Sequence, residues 1–158
     1  MREINSPAEM AELMKECVAS VKFYIDKAKE RCSVYLAYPR VLFSLKGTTA
    51  GKALCGRGVI EFSPTLLREN PDTFLVQTAG HEVAHLVAWQ KHLGKLKPHG
   101  VEWQAVMWNL GLPANRCHNY DTSRVESRVG LIRKVAPEIR TDNLRMKPIG
   151  LGKIIEFD

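Results

Sequence analysis

Residues 81–100 read HEVAHLVAWQKHLGKLKPHG, and the first five of them, His81-Glu82-Val83-Ala84-His85, govern the reading of the rest. On an α-helix, side chains four positions apart lie on one face, one above the other. His81 and His85 can therefore aim two imidazoles at one point. At about 3.6 residues per turn, Glu82 lies about 100° round from His81, near enough to serve the site without readily becoming a ligand. Two imidazoles, a third ligand from elsewhere and an open position make a catalytic zinc site. Glu82 is then the general base that takes a proton from the water such a metal activates. His99 follows thirteen intervening residues after His85. That is enough chain to end the helix, turn and return with a third imidazole.

An H-E-x-x-H string also arises by chance on solvated helices. Here Leu75, Val76, Ala79, Val83, Leu86 and Val87 supply a core-facing side, so the helix is expected to be buried. A buried helix does not carry two histidines and a glutamate without a use for them, because unpaired buried polar groups are costly. His92 is two turns further along the axis than His85, too far to share an ion, and reads as a surface residue.

At 158 residues, with 45% hydrophobic and 25% charged residues, the chain suits one soluble globular domain. No apolar run is long enough to cross a bilayer, and MREINSPAEM has no apolar core of a signal peptide, so a cytoplasmic bacterial or viral product is expected. Cys17, Cys32, Cys55 and Cys117 form no C-x-x-C pair and are expected to stay reduced. Cys55 reads as a packed thiol rather than a nucleophile. Net charge is +6, of which +1 falls in residues 1–85 and +5 in residues 86–158. A basic surplus that begins after the metal helix favours a polyanion such as nucleic acid over a merely soluble basic face.

Ser6-Pro7-Ala8-Glu9 is a helix start with a capping box, and apolar residues at helical spacing run from Met10 to Ala28. Tyr38-Pro39 breaks the pattern. Strands are expected at 41–45, 52–55 and 58–62, the last two joined by a tight antiparallel connection. Ser63-Pro64 opens a short helix, and Asn70-Pro71-Asp72 a second start that leads into the metal helix, which runs to about Leu93 and stops at Gly94. Lys95 and Lys97 lie on a basic loop that delivers His99, and Val101–Leu110 forms the next helix. The polar stretch 111–121 reads as a surface loop, with Cys117-His118 beside Tyr120 and Asp121 as the rival reading of a reserve ligand or transition-state donor. Residues 122–135 suggest a basic helix, and 149–157 an edge strand or a tail.

Taken together, HEVAHLVAWQKHLGKLKPHGVEW with Met107 after it resembles the SprT-like metalloprotease domain, whose eukaryotic member is called Spartan. The shared pattern is an H-E-x-x-H helix, a variable loop, H-G-x-x-W and a nearby Met, here His81, Glu82, His85, His99, Gly100, Trp103 and Met107. KGTTAGKA around Gly47 and Gly51, GVIEFSPTLL and LGLPANRCHNYD are similar as well, so the resemblance covers about residues 10–121. It implies an α+β, zincin-like fold with a small antiparallel sheet packed on helices and the H-E-x-x-H helix central. It implies one catalytic Zn2+ held by His81, His85 and His99, Glu82 as the base, and Trp103 and Met107 packed behind the ligands. The Spartan branch implies cleavage of proteins crosslinked to DNA, with DNA, single-stranded above all, as activator. Many bacterial members end in a zinc ribbon, but residues 122–158 contain no cysteine. The expected organisation is therefore a protease domain over 1–121 and a basic extension over 122–158. Lys95, Lys97, Arg116, Arg124, Arg128, Arg133 and Lys134 are the candidate DNA contacts. A non-catalytic zinc-containing regulator of DNA or the transcription machinery, and a DNA-independent metallopeptidase, are the rival functions.

Overall fold

The computed structural model describes residues 2–123 and 125. Its longest element, α1 (Pro7–Arg31), begins where the capping signal predicts. The Ser6 hydroxyl accepts from the Glu9 N–H at 3.1 Å, and the Glu9 carboxylate accepts from the Ser6 N–H at 3.0 Å. Met10, Leu13, Met14, Cys17, Val18, Val21, Ile25 and Ala28 all face inward, as the helical spacing requires. Cys32 closes the helix and Ser33 turns at φ +51°; from Val34 to Tyr38 burial then alternates as along a strand, with Val34, Leu36 and Tyr38 buried and Tyr35 exposed.

Three short strands follow: β1 (Arg40–Leu42), β2 (Gly51–Leu54) and β3 (Val59–Phe62). β2 and β3 pair antiparallel through a single 3₁₀ turn, Cys55–Arg57, closed by Gly58 at φ +61°. The sheet is not wholly antiparallel as expected. β1 pairs parallel with β3, which takes the centre in the order β1-β3-β2. Leu42 and Lys52 both stand level with Glu61, so the segment 43–50 crosses one end of the sheet, over the place that β3 takes between β1 and β2. Regular pairing of β1 lapses after Leu42, although the Leu45 N–H still donates to the Phe62 carbonyl at 3.1 Å.

Ser63 caps α2 (Pro64–Glu69) through a 3.2 Å bond from the Leu66 N–H. Asn70 does not cap the next turn; its amide turns back to the Leu66 carbonyl at 3.1 Å. The expected uniform helix is three pieces: α3 (Pro71–Thr73), a π-helical turn over Phe74–Thr78, and α4 (Ala79–Lys91). The wider turn, in which the Ala79 N–H reaches the Phe74 carbonyl, rotates Phe74 and Thr78 inward and leaves Val76 48% exposed, contrary to the side assigned to it from spacing. Ala79, Val83, Leu86 and Val87 are fully buried as expected. α4 lies between α1, α5 (Val101–Asn109) and β2, and so runs through the middle of the domain. None of the described helices is long and apolar enough to cross a membrane.

Because both halves of the capping box are formed, Ser6→Ala is expected to cost about 1 kcal/mol, and Glu9→Ala to add less on that background than alone, in a double-mutant cycle followed by urea unfolding.

Candidate metal centre

Helical spacing brings His81 and His85 to one face of α4, and the loop after it brings His99 to meet them. The three Nε2 atoms stand 3.0 Å (His81 to His99), 3.1 Å (His85 to His99) and 3.2 Å (His81 to His85) apart. Three imidazole nitrogens cannot each offer a proton to the others, so their lone pairs converge on a shared point. A tetrahedral zinc site with Zn–N bonds of ~2.05 Å has edges of ~3.3 Å. The triangle therefore fits a bound cation, and these three histidines form the metal-competent cluster among the described residues.

Each ring is held from behind. Trp103, fully buried on α5, lies 4.8 Å from His81, 5.5 Å from His85 and 4.8 Å from His99 between ring centroids, and its Nε1–H donates to the His81 carbonyl at 3.3 Å. The His81 ring donates in addition to the main chain of Asn115. His99 sits at φ +59°, a left-handed conformation that costs a non-glycine residue about 1 kcal/mol or more. Pro98 before it and Gly100 after it, at the start of α5, hold the turn that aims its ring at the α4 face. Burial lowers the proton affinity of all three: His81 falls to about 4 and His85 to about 3, with neighbouring imidazoles adding to the effect, while Arg116 assists burial at His99. The rings are therefore neutral, as ligands must be, down to mildly acidic pH.

Glu82 is only 5% exposed, and burial pushes its carboxyl up to about 8, against a hydrogen bond from the Ala53 main chain that pulls the other way. Its seat is made by an absent side chain. A Cβ at Gly51 on β2 would lie 2.7 Å from Glu82 Cγ and from Oε1. The edge of the sheet thus approaches α4 as closely as backbone allows, at a position that spacing arguments do not bring to the site. Cys55 follows on the same wall. Its Sγ–H points to the His85 carbonyl at 3.6 Å, and burial, helped by Glu82, raises the thiol to about 11, as befits a packed cysteine.

These groups line a cleft of about 520 Å³. Thr48–Ala53 and Cys55 form one wall, α4 the floor, and the segment from Pro113 to Tyr120 the other wall. The 111–121 stretch, expected to be a surface loop, is a wall of the site. Tyr120 Oη lies 2.8 Å from Thr78 Oγ1, and His118 Nε2 lies 2.7 Å from the Thr48 carbonyl. Neither Cys117 nor His118 joins the three ligands. Met107 is buried behind the cleft and His92 is exposed, both as expected. Of the candidate DNA contacts, Lys95 and Lys97 are exposed on the loop that carries His99, and Arg116 is exposed on the cleft wall. Arg124, Arg128, Arg133 and Lys134 lie outside the described residues, as does the edge strand or tail expected over 149–157; of the basic helix expected over 122–135 only Thr122, Ser123 and Val125 are described, and none of them is helical.

Residues 19–123 match the SprT-like family. The chain belongs to the SprT-like family. Among similar SprT-like proteins, Protein SprT of Pseudomonas paraeruginosa is 45% identical over 101 residues, which cover 63% of this chain and 61% of that protein. Protein SprT of Pseudomonas entomophila is 46% identical over 101 residues, covering 63% and 62%. Protein SprT of Pseudomonas savastanoi pv. phaseolicola is 37% identical over 119 residues, covering 75% and 68%. The chain thus spans about three fifths of the length of the first two relatives. No solved structure matches it. The SprT-like match contains every residue of the three-histidine cluster, Glu82 and both cleft walls.

The raised carboxyl of Glu82 has a measurable cost. Unfolded, it ionises near 4.5; folded and metal-free, near 8. Between those values the folded state binds the extra proton, so stability falls as pH rises from 4.5 towards 8. Glu82→Gln is therefore expected to stabilise the metal-free protein by on the order of 2–3 kcal/mol at pH 7 and by almost nothing at pH 4.5. Urea unfolding in the presence of a chelator at the two pH values measures the difference.

Proposed function

We propose that this SprT-like protein is a zinc-dependent endopeptidase that cuts proteins bound or crosslinked to DNA. The observation that carries this reading is a nearly buried glutamate, seated against Gly51 and Ala53, one residue along α4 from a converging set of three imidazoles. His81, His85 and His99 would hold zinc through Nε2. When bound, zinc supplies Lewis acidity towards water and a peptide carbonyl. The chain's own residues do the rest. Glu82 lies beside the three imidazoles, where a carboxylate can both take a proton and release it. It removes a proton from the attacking water and returns it to the leaving amine. The Ala53 N–H fixes the carboxylate, and the Trp103 ring fixes the imidazoles.

The DNA part of the proposal rests on charge. The surplus of +5 follows residue 85, and Lys95, Lys97 and Arg116 border the cleft or the loop that bears His99. A polyanion drawn to that border would bring proteins attached to it to the site. The basic extension over 122–158, with Arg124, Arg128, Arg133 and Lys134, would enlarge the same field. The protein would act in the cytoplasm.

Zinc-loaded protein is expected to cleave a DNA-binding protein when single-stranded DNA is present, and to lose DNA affinity steeply as salt rises. Glu82→Gln should keep the metal and lose at least a hundredfold in kcat. Gly51→Ala should keep the metal as well but lose roughly tenfold or more, because the new methyl displaces the carboxylate. Full activity in Glu82→Gln would sink the mechanism. Zinc binding without any cleavage would point to a regulator, and equal cleavage without DNA to a DNA-independent peptidase.

A further inference from the structure

Two hydrogen bonds fix the state of His118. The Tyr120 N–H donates to Nδ1 at 3.1 Å, so that nitrogen bears no proton. Nε2 therefore bears it and donates to the Thr48 carbonyl at 2.7 Å. The ring stacks on Tyr120 at 4.8 Å, and Tyr120 stacks on the fully buried Phe74 at 6.1 Å. A column of three rings thus braces an imidazole at the rim of the cleft.

The bond to Thr48 runs from one wall to the other. β2 lies alongside α4, with Gly51 against Glu82 and Cys55 Sγ at the His85 carbonyl. Thr48 precedes Gly51, and Thr78, which holds Tyr120, precedes His81. The bond therefore crosses the end of the cleft nearest the start of α4. At the opposite end the Cys55 thiol turns to the His85 carbonyl on the floor and not to the facing wall.

We propose that His118 determines which polypeptides the cleft admits, by holding its Thr78 end shut through Thr48. The inference rests on the peptidase reading above. A chain that enters at the Cys55 end reaches the metal site but runs on past Thr48 only when the imidazole is displaced. Short peptides, or segments close to a chain end, fit without that step. A site far from both ends of a long polypeptide does not. Both ring nitrogens are engaged by main chain, so His118 is a positioning residue and not a catalytic one.

Two substitutions separate its two bonds. Gln at this position can place an amide N–H where Nε2 lies and keep the bond to Thr48. Asn can place a carbonyl oxygen where Nδ1 lies, keeping the bond from Tyr120 but not reaching Thr48. With the zinc-loaded full chain, His118→Asn is expected to lower KM for unfolded casein roughly fivefold, about what one net hydrogen bond gives, and to add internal cleavage sites. The ratio of its kcat/KM on casein to that on an eight-residue fluorogenic peptide should rise about fivefold, and His118→Gln should restore the wild-type ratio. A second readout needs no proteolysis: EDTA should strip zinc from His118→Asn several-fold faster than from wild type or His118→Gln. Identical casein KM and fragments in all three proteins, or equal stripping rates, would overturn the proposal. Inactivity of all three with the stripping order intact would instead overturn the peptidase reading and leave the closure standing.

Discussion

A helix enclosed on nearly every side has room for polar groups only where a partner has been built for each. α4 and the π-helical turn that leads into it carry four such groups on one stretch, and each has its own arrangement. The imidazoles of His81 and His85 meet that of His99 and rest on Trp103. Thr78 meets the hydroxyl of Tyr120. Glu82 meets the Ala53 main chain across the space where Gly51 has no side chain. Removing a charge from water costs several kcal/mol unless it is paired or neutralised. With no cation facing it among the described side chains, burial pushes the carboxyl up to about 8 in the metal-free protein. The demand to house these groups accounts for the close approach of β2, the left-handed turn at His99 and the course of the chain after α5.

How much of this could be read beforehand depended on distance along the chain. α1 was legible from end to end because its cap, its period and its proline act within a few residues of one another. The His81-Glu82-His85 set was legible for the same reason, and His99 followed from loop length. The parallel pairing of β1 with β3 was not, since Arg40 and Val59 are brought together by an intervening loop whose path no local pattern specifies. The π-helical turn escaped too, because its one-residue excess shifts the apolar pattern by too little to see, yet it is what turns Val76 outward.

The segment from Pro113 to Tyr120 shows the same limit more sharply. Its composition is that of a solvent-facing loop, and Asn115, Arg116 and Cys117 are indeed exposed. What makes it part of the site is the set of partners it reaches, Thr48, Thr78 and Phe74, all far back in the chain. Likewise Gly51 is marked in the sequence only by its place in KGTTAGKA. Its importance is steric and lies in the distance to one carboxylate on another element.

The parts of the site differ in how far apart the chain sets them, and that orders their assembly. His81 and His99 are 18 positions apart, so the ligand triangle is encoded by α4, one loop and the first turn of α5. The hydrogen bond between Thr48 and His118 spans 70 positions. Closing a long loop costs more entropy than closing a short one, and contacts of that span form only as the whole topology does. The histidine triangle is thus local, whereas the seat of Glu82 and the closed end of the cleft wait on the sheet and the last wall. A partly folded chain can bring the three imidazoles together before the rest of the cleft exists.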